Sequence, residues 1–237
     1  MPLTTKTPGP LENHLLAALP KKDYECLLPH LKSVSLALGE VVYESDEQMT
    51  HVYFPTDAIV SLLYLMANGA TAEIGVVGYE GVVGIALFLG GETTPNRAVV
   101  QSAGSAFKMK AQVLREEFAR GGPLQLLLLR YTQALFSQIS QTAVCNRLHT
   151  VEQQLCRWLL LSHDRLCSDE LVMTQDLISN MLGVRREGVT VAAQQLKAKG
   201  LITYVRGTIM LVDRAGLEAA VCECYRVVKT EYDRLLG

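Results

Sequence analysis

The sequence predicts an α+β fold in which an N-terminal antiparallel β-roll, a long dimerisation helix and a C-terminal winged helix-turn-helix follow one another. Short β-rich runs separated by turn formers fill residues 34–110. A helical pattern follows Gly121-Gly122-Pro123, and two short helices then meet at Gly183. We therefore predict a β-roll domain with short N-terminal helices, a dimerisation helix, and a winged helix-turn-helix domain with a C-terminal helix, at residues 1–120, 121–150 and 151–237.

The composition is that of an ordinary globular chain. Its 237 residues are 49% hydrophobic and 19% charged, and the formal charge of −2 excludes an overall basic coat. The N-terminus lacks a basic region followed by an apolar core, and the most apolar run, LQLLLLRYTQALF, is interrupted by Arg130 and is too short to span a bilayer. We expect a cytoplasmic protein with no membrane partner, whose six cysteines are reduced thiols.

The first 110 residues favour short helices followed by short strands. Residues 11–32 carry two helical patterns separated by Pro20. The runs that favour strands are VSLAL, VVYE, HVYF, IVSLLYL, TAEIGVV, RAVVQ and AFKMK. Glycines recur at every third position from Gly75 to Gly84, but they match neither the dinucleotide-binding fingerprint nor a P-loop. We interpret them as turns and close approaches between strands.

The helical pattern in residues 121–150 contains an apolar seam. Its members are spaced four, three and four residues apart: Leu124, Leu128, Tyr131 and Leu135. Such a seam could pack against a second copy of the helix, which is the interpretation that we favour. Its continuation passes through Gln138, Thr142 and Cys145, which are poor coiled-coil residues, so the alternative is a core helix packed on its own domain. A second apolar helix is predicted from about Val151 to Ser162.

The pattern after Thr174 is that of a helix-turn-helix. Thr174 is a suitable N-cap for a short helix, and Gly183 permits the left-handed residue that would end it. A second helix is predicted to begin near Arg185 or Arg186 and to end at Gly200. The segment ITYV-RG-TIMLV then predicts a hairpin, which is the wing. Five basic residues against two acidic ones give residues 174–206 a local charge of +3.

These features predict a surface that binds double-stranded DNA, because the start of the second helix of this motif faces base edges in the major groove. Arg suits a bidentate contact with guanine, and Glu accepts a hydrogen bond from cytosine. Arg186 and Glu187 are the main candidates for base readout, followed by Arg185. The full set of predicted DNA-binding residues is Arg185, Arg186, Glu187, Thr190, Thr174, Lys197, Lys199 and Arg206. An interaction-only winged helix with solvated arginines is the alternative.

The segment GVRREGVTVAAQQLKAKGLI resembles the end of the motif in the Crp/Fnr family of transcription regulators, and the resemblance extends over nearly the whole chain. It implies an effector-sensing β-roll, a homodimer, a pseudo-palindromic operator and RNA polymerase as a further partner. The family's base-reading Arg-Glu pair falls on Arg186 and Glu187, its second arginine on Val191 and its Thr on Gly188. These two departures put the usual operator sequence in doubt, and Arg185 and Thr190 could supply compensating contacts.

The resemblance is weaker at the effector pocket. Cyclic-nucleotide binders of the family carry a Glu where this chain has Ile85 and an Arg where it has Asn96, while Arg97 follows one residue late. A slip of one residue turns a side chain to the opposite face of a strand. We therefore expect no cAMP or cGMP, with Arg97 kept as a weak candidate ligand. Cys26 stands alone near the N-terminus, and one thiolate cannot hold an iron–sulfur cluster. We expect no cofactor and an effector that is not identified.

The remaining cysteines and histidines form local pairs. Cys145 and His149, like His163 and Cys167, are spaced i, i+4, and Cys222 and Cys224 flank Glu223: such pairs can chelate zinc, although a buried cysteine is more often a small apolar side chain. We predict no metal site.

The sequence favours a regulator over an enzyme. It contains no G-x-S-x-G, H-E-x-x-H or P-loop motif, so we predict no catalytic residue. The prediction is a homodimeric, sequence-specific transcription regulator. The alternative is a dimeric β-roll and winged-helix module that binds a protein partner.

Overall fold

The computed structural model describes residues 8–166 and 168–237, and it begins with short helices against the β-roll. These are helices α1 (His14–Ala17) and α2 (Lys21–Leu27) and the one-turn 3-10 helices Pro10–Glu12 and Leu28–His30. Asn13 caps α1 by accepting a hydrogen bond of 3.2 Å from the Leu16 N–H. Its side-chain amide also donates to the carbonyl oxygens of Pro55 and Gly81, at 2.9 Å each. This fully buried side chain therefore fastens the N-terminal helices to the roll.

The β-roll consists of antiparallel sheets that enclose an apolar core. The strands are β1 (Lys32–Leu36), β2 (Val41–Tyr43), β3 (His51–Pro55), β4 (Ile59–Leu65), β5 (Thr71–Val77), β6 (Arg97–Ser102) and β7 (Gly104–Lys110). They are ordered β1-β7-β3 in one sheet and β2-β6-β4-β5 in the other. Side chains such as Phe54, Ile59 and Met109 are fully buried between them. The predicted antiparallel roll is confirmed.

Helix α3 (Ala111–Ala119) leads to the long helix α4 (Pro123–Leu148), which begins after Gly122 at a φ of +89°. The face of α4 that carries Leu124, Leu128, Tyr131 and Leu135 is buried within the chain itself. A Cβ on Gly81 would lie 2.5 Å from the Tyr131 ring, which shows how closely the roll packs on this face. The interpretation of these four residues as a seam between two copies is therefore wrong. Their helix is packed on its own domain along this face.

The C-terminal domain begins with α5 (Val151–His163), which Thr150 and Gln153 start with a capping box. The other helices are α6 (Gln175–Leu182), α7 (Arg186–Ala198), α8 (Arg214–Ala220) and α9 (Cys224–Leu236). Strands β8 (Glu170–Val172), β9 (Ile202–Val205) and β10 (Thr208–Leu211) form the antiparallel sheet β8-β10-β9. Strand β8 was not predicted, because three residues between turns carry no periodic signal.

The sequence predicted one helix in the C-terminal segment, but the structure has two, α8 and α9, with a break around Cys222. Helix α9 returns across the molecule and packs on α4. The Gln138 side-chain amide donates two hydrogen bonds. One goes to the Tyr232 hydroxyl at 2.9 Å, and the other goes to the carbonyl oxygen of Val76 on β5 at 3.1 Å. Gln138 is 1% exposed, so a polar residue that would suit a coiled coil poorly is satisfied inside one chain. Among the described residues, no helix is both long and apolar enough to cross a membrane.

Candidate nucleic-acid interface

The turn between α6 and α7 has the geometry of a helix-turn-helix. The Thr174 hydroxyl oxygen accepts a hydrogen bond of 3.2 Å from the Leu177 N–H and so caps α6. Gly183 ends α6 in the left-handed region, at a φ of +65° and a ψ of +32°. A residue with a Cβ would be strained at this angle, which explains the glycine. Both sequence predictions about this turn are confirmed.

Helix α7 presents its charged first turn to solvent. Arg185 is the extended N-cap residue and Arg186 is the first helical residue, and both side chains, like that of Glu187, are exposed. The opposite face is buried against the domain through Val189, Ala192, Ala193 and Leu196. The free backbone N–H groups at this end favour an anion, and the arginines add positive charge to them. This end of α7 is therefore suited to a DNA groove.

Arg186 is held only loosely. Its guanidinium lies 3.4 Å from a carboxylate oxygen of Asp176, and the two side chains are 61% and 65% exposed. Exposed ion pairs of this kind contribute about 1 kcal/mol or less, so Arg186 can exchange Asp176 for a base edge. The Thr190 hydroxyl is already bonded to Gln175 Oε1, at 2.8 Å, and to the Arg186 carbonyl oxygen, at 3.1 Å. Thr190 therefore connects α7 to α6.

The wing turn lies beside the start of α6. Arg206 and Gly207 form this turn with φ angles of +51° and +83°, and the Gly207 carbonyl oxygen accepts a hydrogen bond of 2.6 Å from the Met173 N–H. A shallow cleft therefore joins the starts of both helices to the wing. It is lined by Thr174, Gln175, Asp176, Arg186, Tyr204, Arg206 and Gly207.

The two predicted lysines lie at the other end of α7. Lys197 is eleven residues beyond Arg186, which places it about 16 Å along the axis and on nearly the same side of the helix. Lys199 lies on the opposite side and pairs with Glu152 of α5. The structure thus brings six of the predicted residues around one surface and leaves Lys197 and Lys199 apart from it. Val191 is 53% exposed and lies with Glu187 and Gly188 in a second groove, against the start of α5.

The β-roll holds a cavity of about 340 Å³ where the resemblance to the Crp/Fnr family would place an effector pocket. Ile85 and Asn96 both line this cavity, as do Leu135 and Ile139 of α4. Arg97 is not among the lining residues, and its guanidinium pairs with Glu44 at 3.0 Å. The structure therefore does not place the weak candidate Arg97 where it could bind a ligand in this cavity.

The cysteine pairs are rearranged by the fold. The structure brings Cys145, His149, Cys222 and Cys224 together although His149 and Cys222 are 73 positions apart in the sequence. The prediction of no metal site did not foresee this group, because it depends on α9 packing against α4. In the other predicted pair, His163 contacts Asp169 at 2.7 Å, and Cys167 lies outside the described residues.

Two family models match the chain in the order that the fold displays. A cyclic nucleotide-binding domain matches residues 33–120, and a Crp-like helix-turn-helix domain matches residues 153–220. No curated protein sequence matches the chain.

Solved structures share the architecture of most of the chain. FixK2 from Bradyrhizobium japonicum is 19% identical with a TM-score of 0.69, over 81% of this chain and 98% of that one. A transcriptional regulator of the Crp/Fnr family from Eubacterium rectale is 15% identical with a TM-score of 0.67, over 90% and 97%. The c-di-GMP-responsive regulator CLP from Xanthomonas campestris is 16% identical with a TM-score of 0.62, over 81% and 99%. At these identities the likeness shows the fold.

The two matched domains cover the β-roll and the helix-turn-helix, and the second of them contains the exposed first turn of α7, the left-handed turn at Gly183 and the adjacent wing. The protein is a DNA-binding transcription regulator that joins a cyclic nucleotide-binding domain to a Crp-like helix-turn-helix domain, the domain organisation of the Crp/Fnr family.

Proposed function

We propose that the protein acts as a homodimer on a pseudo-palindromic operator in the cytoplasm, with one α7 in each of two successive major grooves about 34 Å apart. The observation that carries this proposal is the position of Arg185, Arg186 and Glu187, which are exposed on the first turn of α7 beside the wing. RNA polymerase is a further partner that we infer from the family alone. No catalytic role is proposed for any residue.

An exposed apolar face of α4 supports the homodimer. Its members lie within about a third of the helix circumference, opposite the buried face, at 100° per residue. They are Leu126, Leu129, Phe136, Val144 and Leu148, with exposed fractions of 50%, 45%, 65%, 43% and 72%. An apolar stripe of this length on a long helix is suited to a second copy of itself. We therefore assign the dimer contact to this face instead of the predicted seam.

The cavity in the roll favours an uncharged, largely apolar effector. Its polar atoms are few and already bonded, because Asn96 accepts a hydrogen bond of 2.8 Å from the Tyr43 hydroxyl and donates one of 2.7 Å to Thr94. A cyclic phosphate there would lack the charged partner that burial demands. Since Leu135 and Ile139 of α4 form one wall, a molecule in the cavity would contact the helix that carries the proposed dimer face. Effector binding and dimer geometry would be coupled in this way.

Selection of binding sites from a random duplex library tests the operator proposal. The reduced, ligand-free protein should enrich an inverted repeat, and Arg186→Ala should lose it while remaining a dimer. Lys22→Ala, which removes an exposed positive charge from α2 in the N-terminal segment, is the matched control and should keep the repeat. If selection succeeds only with added cell extract, an effector is required. Enrichment that is unchanged in Arg186→Ala would contradict the assigned readout, and failure under both conditions would favour the partner-binding alternative.

A further inference from the structure

Three cysteines and a histidine converge where α9 begins against the end of α4. Cys145 and His149 lie one turn apart at the end of α4, and Cys222 and Cys224 lie on either side of Glu223 at the break between α8 and α9. One ligand atom from each of the four residues lies within 4.8 Å of all the others. The group is far from α7 in sequence and plays no part in the proposed DNA contacts.

The distances match a tetrahedral metal site. Around zinc, with bonds of about 2.3 Å to sulfur and about 2.05 Å to nitrogen, tetrahedral geometry separates two sulfurs by about 3.8 Å and a sulfur from a nitrogen by about 3.6 Å. The Cys145 and Cys222 sulfurs are 3.7 Å apart. The Cys224 sulfur and His149 Nδ1 are 3.4 Å apart. These two pairs are thus already spaced as ligands of one ion, and the remaining pairs lie within 4.8 Å.

The second nitrogen of His149 has the partner that a ligating histidine requires. Nε2 lies 3.4 Å from Oε2 of Glu223, so that Nδ1 is left to face the cysteines. A carboxylate that accepts the distal N–H fixes the ring tautomer and orientation in metal sites. Glu223 is the residue between the two cysteines of the Cys-Glu-Cys segment, so the same turn supplies two ligands and the orienting group.

The surroundings are suited to an anionic centre. Cys145, Cys222 and Cys224 are 0%, 4% and 0% exposed, and the Gln141 side-chain amide donates to the Cys224 sulfur at 3.1 Å. Arg157 is 4% exposed and forms no ion pair within 4.0 Å among the described residues. Its guanidinium donates a hydrogen bond of 3.2 Å to the hydroxyl of Thr142, which lies one turn before Cys145 on α4. Its buried Nε has no hydrogen-bond partner among the described residues. Three thiolates around a divalent ion carry a net negative charge, which would compensate this buried cation.

We propose that Cys145, His149, Cys222 and Cys224 bind one zinc ion in a closed Cys₃His site that fastens α9 to α4. Four protein ligands without an open position define a structural site, and the thiolate-rich, tetrahedral set favours Zn²⁺ among the divalent metals. On binding, each thiol releases its proton to solvent and no electron is transferred. The ion would fix the position of the helix that covers the inner face of α4.

Cobalt substitution tests the site directly. The full-length protein, reduced and freed of metal by a chelator, is titrated with Co²⁺ and then with Zn²⁺. We expect one Co²⁺ per chain, with the visible bands of tetrahedral cobalt and thiolate-to-cobalt charge transfer, and bleaching of both by Zn²⁺. Zinc should also raise the melting temperature of the wild-type protein. Absence of these bands would overturn the proposal, as would a disulfide between Cys145 and Cys222 whose reduction leaves no metal uptake.

Variants separate the site from non-specific thiol binding. Cys224→Ser should lose the charge-transfer intensity of one thiolate and the zinc-dependent rise in melting temperature, whereas Cys26→Ser, which alters an exposed thiol elsewhere, should keep both. Glu223→Gln should keep the tetrahedral spectrum but bind zinc roughly tenfold to a hundredfold more weakly. Equal loss of the spectrum in Cys26→Ser would overturn the assignment. If Cys224→Ser does not fold, the titrations of the wild-type protein and of Glu223→Gln still test the proposed zinc site.

Discussion

The indole N–H of Trp158 on α5 donates a hydrogen bond of 3.1 Å to Oε1 of Glu73 on β5. Oε2 of Glu73 lies 2.6 Å from the Ser61 hydroxyl, which lies 2.8 Å from Gln101 Oε1. The side-chain amide nitrogen of Gln101 donates a hydrogen bond of 2.8 Å to the hydroxyl of Ser162, which is also on α5. Because one hydroxyl hydrogen cannot serve both acceptors, a protonated Glu73 that donates to Ser61 would satisfy both contacts with the Gln101 amide placed as it is here. Burial raises the pKa of Glu73 to about 7.

This network predicts a pH-dependent stability. The pKa of Glu73 is raised in the folded protein, so between about pH 4.5 and pH 7 the folded protein holds a proton that the unfolded chain has lost. The free energy of unfolding should therefore fall as the pH rises through this window and level off above it, by at most on the order of 3 kcal/mol. Urea denaturation of wild type and Glu73→Gln at pH 5 and pH 7.5 measures the difference. The variant should lack this decline.

Glu47→Gln is the matched control, since it removes an exposed carboxylate from the same domain. It should retain the wild-type dependence on pH. A decline of wild-type size in Glu73→Gln would show that another group titrates.

Phe136→Glu should convert the protein to a monomer. The side chain is 65% exposed at the middle of the apolar face of α4, and a carboxylate there would be buried without a partner between two copies. Sedimentation at micromolar concentration should give half the wild-type mass, with an unchanged circular dichroism spectrum. Met66→Glu, at a position 59% exposed in the β4–β5 turn, should remain a dimer. A dimeric Phe136→Glu would move the interface to another surface.

Lys197→Ala should weaken binding to all DNA sequences about equally and should lower the slope of log affinity against log salt by about one for each half-site contacted. A phosphate contact releases counterions without reading the sequence, which explains both effects. Lys199→Ala should change the slope less, because Glu152 already neutralises its ammonium group. Filter binding over a series of salt concentrations compares the two. A larger change of slope in Lys199→Ala than in Lys197→Ala would place the DNA backbone on the side of α7 that faces α5.

Val191→Arg should change which half-site is selected. Val191 is exposed one turn beyond Glu187, where an apolar side chain suits a thymine methyl group and an arginine suits guanine. Selection from a random library should therefore show a new preference for guanine at one position of each half-site, with about 1–3 kcal/mol of discrimination. Val227→Arg, on the exposed face of α9, is the control and should select the wild-type site. An unchanged consensus in Val191→Arg would mean that this position does not face a base.

Local chemistry made the helix-turn-helix predictable. Thr174 and Gly183 act within a few residues of themselves, one as a side-chain cap and the other as a left-handed residue, so their roles follow from the sequence alone. The same holds for the strands of the roll, because each was predicted from a short β-rich run and the turn formers next to it. Glu73 was not predicted, because its hydrogen-bond partner Trp158 is 85 residues away in the sequence.

The seam on α4 shows where periodicity stops being informative. The spacing of Leu124, Leu128, Tyr131 and Leu135 correctly indicated a buried stripe, but it carried no information about which surface covers it. The cover turned out to be the roll and α9, and the opposite stripe with Phe136 is the one left exposed. The cluster of three cysteines and His149 depends on the same long-range packing of α9 against α4.

The return of α9 to α4 has a consequence for partial unfolding of the molecule. Tyr232 on α9 accepts a hydrogen bond from Gln138, and α9 packs on the inner face of α4. An opening that releases α9 would uncover part of this face and leave Gln138 with Val76 as its remaining partner. Local melting of the C-terminal helix would therefore loosen the packing of α4, so the two ends of the molecule share part of their stability.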